Sequence, residues 1–148
     1  MKIVIGCDHG GLALKEMLKD YIVEFGGEVT DLGTHTDESV DYPDFGKLTA
    51  EMVAGGEAEF GVLVCGSGIG MSIVANKVPG VRCALCTNEY MARMARRHND
   101  ANVLALGGRV LGPDLARDIV RIFLETPFDG GRHAKRVAKI AALEEGKK

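Results

Sequence analysis

Apolar positions along the chain change period several times. Short runs of adjacent apolar residues, the pattern of strands buried on both faces, occur at Lys2 to Cys7, Glu28 to Leu32, Val62 to Val64, Val81 to Leu85 and Val103 to Leu106. Between them the apolar positions recur at helical spacing. Leu12, Leu14, Met17, Leu18, Tyr21, Ile22 and Phe25 form one stripe, stopped by Gly26-Gly27. Phe45, Leu48, Thr49, Met52 and Val53 form another, stopped by Gly55-Gly56. Ile69, Ile73, Val74 and Val78 mark a third. Asn88 is a predicted N-cap for a helix with Met91, Met94 and Ala95. Leu115, Ile119, Val120 and Phe123 follow Pro113-Asp114. Gly130-Gly131 opens a last helix over about 131–145 through Val137, Ile140 and Leu143, with a frayed tail from Glu144 to Lys148. Gly33 to Pro43 reads as a polar loop closed by Tyr42-Pro43.

Strands and helices therefore alternate five times with short connections. That predicts an α/β protein, a Rossmann-like three-layer α/β/α arrangement around a five-stranded parallel sheet. With 148 residues, 46% of them hydrophobic, the chain is long enough to bury one core, so residues 1–148 read as one domain. The net charge of −3 argues against broad nucleic-acid binding. The first apolar run, Ile3 to Ile5, is too short for a signal peptide or a membrane span, so a soluble, cytoplasmic protein without a membrane partner is expected.

Cysteine and histidine change this picture little. Cys83 and Cys86 have redox-motif spacing, but they fall on a predicted strand, where their side chains point to opposite faces. His9, His35, His98 and His133 are scattered through the sequence without ligand spacing. No metal and no cofactor are expected.

The chemistry concentrates in Gly61 to Gly70, Gly-Val-Leu-Val-Cys-Gly-Ser-Gly-Ile-Gly. Cys65 stands where a strand ends. Gly66, Gly68 and Gly70 then allow backbone N–H groups to crowd round a ligand before a helix begins. Helix N-termini favour anions, and a thiol in that setting gives up its proton more readily than a free cysteine. The glycines are not the dinucleotide fingerprint, whose third glycine falls one residue later, and no Gly-Lys-Ser/Thr closes a phosphate-binding P-loop. A buried cysteine beside an ordinary βα turn is the simpler alternative.

Other residues have two readings each. Asp8 and His9 follow the first strand, at the end where parallel sheets bind ligands; they suit sugar hydroxyls, or Asp8 caps the next helix. Ser67 can hydrogen-bond a thiolate or a ligand oxygen, or simply serve the loop. Tyr42 before Pro43 can plug a pocket. His98 at a helix end can move protons near neutral pH, or cap carbonyls. Arg132 and Arg136, four apart, share a helix face and could clamp a phosphate with His133 nearby, or form a solvated basic surface.

Taken together, Gly6-Cys-Asp-His9, Asp41-Tyr-Pro43, Cys65-Gly-Ser-Gly-Ile-Gly70, Arg97-His-Asn-Asp100, Gly107-Gly-Arg109 and Gly130-Gly-Arg-His133 resemble the B-type ribose-5-phosphate isomerase family, which includes galactose-6-phosphate isomerase subunits. The resemblance covers nearly the whole chain, in order. It implies interconversion of ribose 5-phosphate and ribulose 5-phosphate, a pentose phosphate pathway step, with Cys65 moving a proton between C1 and C2. The loop of Gly66, Ser67, Gly68, Ile69 and Gly70 would hold the enediolate oxygens. His98 would assist ring opening. Asp8, His9 and Asn99 would bind sugar hydroxyls, and Arg109, Arg132 and Arg136 mainly phosphate. The family often carries Thr where this chain has Ser67, which keeps the hydroxyl. The residue chemistry agrees, since such a reaction needs a base, an oxyanion cradle and an anion clamp.

Two alternatives remain at this point. One is a six-carbon substrate, allose or galactose 6-phosphate. The other is a non-catalytic nucleotide-binding α/β module. Chain direction adds an expectation about assembly. His98 ends a helix running antiparallel to the strands, so it should lie at the opposite end of the sheet from Cys65. If both serve one sugar, His98 and Asn99 come from a second subunit, in a homodimer or a dimer of dimers with sites at the interface.

Overall fold

The computed structural model describes residues 1–146. Its centre is a sheet of five parallel strands in the order β2-β1-β3-β5-β4: β1 (Lys2–Cys7), β2 (Glu28–Asp31), β3 (Phe60–Cys65), β4 (Cys83–Leu85) and β5 (Val103–Gly107). The apolar runs form inner strands because both faces are covered. Ile3 and Ile5 face one side with Val62, Val64, Leu104 and Leu106, under α1 (Leu12–Glu24), α4 (Glu89–Asn99) and α5 (Pro113–Glu125). Val4, Leu63, Val103 and Ala105 face the other side, under α2 (Tyr42–Ala54) and α3 (Ile69–Ala75). The expected three-layer architecture is the observed one. A further helix, α6 (Arg132–Glu145), packs against α4.

The strand order puts a switch point between β1 and β3, where the chain changes direction across the sheet. Ligands of open parallel sheets bind in the crevice outside the strand ends at such a point. Register makes the crevice specific. Cys7 pairs with Val64 and Cys65 with Gly107, so Asp8 and Cys65 emerge side by side.

Several boundaries differ from the sequence pattern. β4 begins at Cys83 rather than Val81. The Asn76 side chain accepts from the Cys83 N–H (2.8 Å) and donates to its carbonyl (2.9 Å), taking up the free edge of that strand. α3 stops at Ala75, short of Val78, and Pro79 follows. Tyr42 and Pro43 open α2 instead of closing the preceding loop, because proline suits a first helical turn. The expected fraying from Glu144 is corrected. α6 continues through Glu145, and the Glu144 carboxylate accepts the Gly80 N–H at 3.0 Å from each oxygen. The rest of the expected tail, 147–148, lies outside the described residues.

Candidate active site

The loop after β3 folds around Cys65. Gly68 carries φ of 79°, a left-handed conformation, and a Cβ there would lie 2.6 Å from Leu85 Cδ1. Only glycine meets both demands. That turn aims the Gly68 N–H at Cys65 Sγ, 3.1 Å away. The sulfur thus has a donor ready to hold negative charge. The 107–109 loop braces the arrangement. Gly108 N–H donates to the Cys65 carbonyl (2.7 Å) and Arg109 N–H to the Gly66 carbonyl (2.9 Å).

Around this loop lies an open cavity of about 630 Å³, lined by Asp8, Tyr42, Cys65, Gly66, Ser67, Ile69, Gly70, Ile73, Arg109 and Val110. Asp8 is buried, and its Oδ1 accepts the Gly11 N–H at 3.1 Å, so the capping role foreseen for it is real. It lines the cavity as well, so the two readings are not exclusive. His9 Nδ1 accepts the Val40 N–H at 3.2 Å, which leaves Nε2 to carry the proton when the ring is neutral. Ser67 Oγ accepts the Ile69 N–H at 3.3 Å. Tyr42 lies against Gly70, where a Cβ would fall 2.6 Å from its ring.

The remaining candidates lie elsewhere. His98 and Asn99 finish α4 just before Ala101 and Asn102, which lead into β5 at its amino end. Cys65 is in register with Gly107, at the carboxyl end. A strand of five residues rises about 13 Å from first to last. His98 is not alone at its end. Its ring stacks on that of His133, with centroids 4.1 Å apart and planes 9° from parallel. Asp129 joins them, so the two histidines judged scattered in sequence, with this carboxylate, place three potential ligand atoms within 4.8 Å of one another. Cations flank this cluster. Asp129 is already held by Arg97 Nε, at 3.1 and 3.0 Å to its two oxygens. Burial, then the charges of His98, Arg132 and Arg136, hold the His133 imidazole below its ordinary range.

The family model for ribose/galactose isomerases matches residues 3–140. The chain belongs to that family. Within it, the chain is 48% identical to the ribose-5-phosphate isomerase B of Escherichia coli, with 97% of each chain covered. It is 43% identical to the D-erythrulose-4-phosphate isomerase of Pectobacterium atrosepticum, covering 100% of this chain and 98% of that one. The solved structure of Clostridium thermocellum ribose-5-phosphate isomerase B superposes with a TM-score of 0.99, at 59% identity over the whole of both chains.

Against the family motifs, the fold gathers Asp8, Tyr42, Cys65, Gly66, Ser67, Ile69, Gly70 and Arg109 at one cavity and places His98, Arg97, Asp129 and His133 at the far end. Sequence reasoning did not single out Ile73, Val110 or Asp129. Ile73 falls in the third apolar stripe, yet it is more than half exposed beside the cavity. Asp129 carried no motif; its partner Arg97 is distant in sequence, and the two meet where the segment before α6 crosses the end of α4, the Asp129 N–H also donating to the Arg97 carbonyl at 3.0 Å.

Proposed function

We propose that this chain interconverts ribose 5-phosphate and ribulose 5-phosphate, as one sugar-phosphate isomerase domain acting in the cytoplasm. The observation that carries the reading is the Cys65 sulfur at the floor of an open cavity with the Gly68 N–H on it. In this mechanism Arg109, Arg132 and Arg136 hold the phosphate, and Asp8, His9 and Asn99 take sugar hydroxyls. His98 takes the C1 hydroxyl proton and passes it to the ring oxygen as the furanose opens to the aldehyde. The Cys65 thiolate then removes the C2 proton. The electron pair moves to make the C1–C2 double bond, and O1 becomes the enediolate oxygen. The amides of Gly66 to Gly70 and the Ser67 hydroxyl stabilise that charge. The C2 hydroxyl proton passes to O1 and the charge moves to O2; as the C2 carbonyl forms, Cys65 delivers its proton to C1, giving the ketose.

Both halves of the site serve one sugar only if they come from different chains. Support for an isologous dimer is the apolar surface left bare on one chain. Ile69, Ile73 and Val110 rim the cavity, each more than half exposed. Ile140 and Leu143 of α6 are exposed as well. We place His98, Asn99, Arg132 and Arg136 of one protomer over the Cys65 cavity of its partner, in a dimer or a dimer of dimers.

The cavity is wide open, and the Pectobacterium relative is named for a four-carbon sugar phosphate, so chain length of the substrate is a separate question. Steady-state rates with ribose, allose, galactose and erythrulose phosphates, with a chelator present, test the assignment. Ribose 5-phosphate should give the highest kcat/KM. Cys65→Ala should lose about a hundredfold to ten-thousandfold of turnover while still binding sugar phosphate. Near-normal turnover in that variant would remove Cys65 as the base.

A further inference from the structure

Asp100 follows His98 and Asn99 immediately, and it has the left-handed backbone, φ 46° and ψ 43°, that ends α4. Glycine is the ordinary residue at such a cap, because a side chain strains it. An aspartate there brings a carboxylate, and its two oxygens are shared between two arginines. Oδ1 lies 2.9 Å from Arg96 Nη1 and Oδ2 lies 3.2 Å from Arg82 Nη2. Arg82 does more than pair. Its Nε donates to the Asn99 and Asp100 carbonyls, both at 3.0 Å, and its Nη2 donates to the Asp100 carbonyl at 2.8 Å. Arg96 is anchored in the core, its guanidinium 4.8 Å from the Phe60 ring centroid and 5.8 Å from that of Phe123. Its Nε also donates to the Thr126 carbonyl at 3.3 Å.

The chain leaving α4 is therefore fixed at the backbone of Asn99, at the backbone of Asp100 and at the carboxylate of Asp100. Arg82 is about one-quarter exposed and Asp100 about one-third. Pairs so exposed add little to stability. Three hydrogen bonds onto two successive carbonyls make better sense as a constraint on direction. We propose that Asp100, clamped between Arg82 and Arg96, is a positioning residue that sets the stance of His98 and Asn99 toward the sugar. This rests on the reading that those two residues serve the substrate. The clamp shares no hydrogen bond with Arg109, Arg132 or Arg136, nor with Arg97–Asp129, which ties α4 to the segment before α6 by separate bonds.

The test uses the full chain carrying Arg82→Met, with Asp100→Asn beside it and His98→Asn as the reference. Arg82→Met leaves the Arg96–Asp100 pair and the core intact, so it gives a folded variant even where Asp100→Asn, which weakens the partner of a buried arginine, does not. Circular dichroism checks folding at the assay temperature. The readouts are kcat for ribose 5-phosphate and the competitive inhibition constant of inorganic phosphate. A positioning role predicts at least a fivefold fall in kcat for Arg82→Met, with the phosphate constant within twofold of wild type. A stabilising role alone would lower the unfolding temperature and leave kcat unchanged. A fall of less than fivefold in folded Arg82→Met, while His98→Asn is impaired, overturns the clamp. So does a parallel loss of phosphate binding, which would report a general loosening of α4 and α6. Full activity in His98→Asn would instead overturn the reading of the site on which the clamp depends.

Discussion

Four free thiols lie in this chain, and their surroundings separate them. Burial pushes Cys7 up to about 11, and Cys83 and Cys86 up to about 12, so these three stay protonated at neutral pH. Cys65 alone among them lines the cavity and receives an amide N–H on its sulfur. Thiolates, not thiols, are alkylated. Brief treatment of the native protein with iodoacetamide near pH 7.5 should modify Cys65 first. Ribose 5-phosphate should slow that modification. Peptide mapping that found Cys83 or Cys86 labelled ahead of Cys65 would contradict this account.

The loop between β3 and α3 depends on one glycine more than on its neighbours. Gly68 combines a left-handed backbone with a Cβ position 2.8 Å from the Leu106 carbonyl carbon. Gly68→Ala should cost on the order of 1–2 kcal/mol from backbone strain alone, with crowding in addition. Because the same residue supplies the N–H on Cys65, kcat should fall as well. Chemical denaturation and steady-state kinetics on the one variant check both effects; an alanine variant of normal stability and rate would show the turn to be tolerant. α4 and α6 meet through the His98–His133 stack, so titration of His133 should make their contact depend on pH. His133 sits below its ordinary range, through burial and then through His98, Arg132 and Arg136, with Asp129 opposing. The unfolded chain therefore takes up that proton more readily than the folded one. Stability should fall as pH drops below about 6.5, the unfolded value, and level off once the folded ring is charged too. Urea midpoints between pH 7.5 and 5 measure this. His133→Asn should flatten the dependence, and an unchanged slope would remove His133 as its source.

For the assembled molecule the proposed shared site makes a quantitative prediction. Cys65→Ala and His98→Asn homodimers should each be inactive. When they are mixed under conditions of subunit exchange, about half the dimers are mixed, and each rebuilds one intact site of two. About a quarter of wild-type activity should return. No recovery despite exchange, shown by native mass spectrometry, would mean that each site lies within one chain. Bare apolar side chains on α6 and around the Cys65 cavity also predict that dissociation on dilution abolishes activity.

Local chemistry in this chain is strong enough to be read without coordinates. The alternation of apolar runs and helical stripes requires a parallel sheet covered on both faces, and the strand–cysteine–glycine sequence from Val62 to Gly70 requires a tight loop at a strand end. Both follow from spacing between near neighbours. Chain direction alone also separates Cys65 from His98, because an antiparallel helix returns to the strands' starting end. Packing decided the rest. His98, Asp129 and His133 meet because α6 lies on α4, a contact between distant segments with no period to betray it. The Asp100 clamp likewise needs Arg82, from the connection before β4, to reach the end of α4. Periodicity shows which face of an element is buried, but not which distant element covers it; side-chain packing settles that.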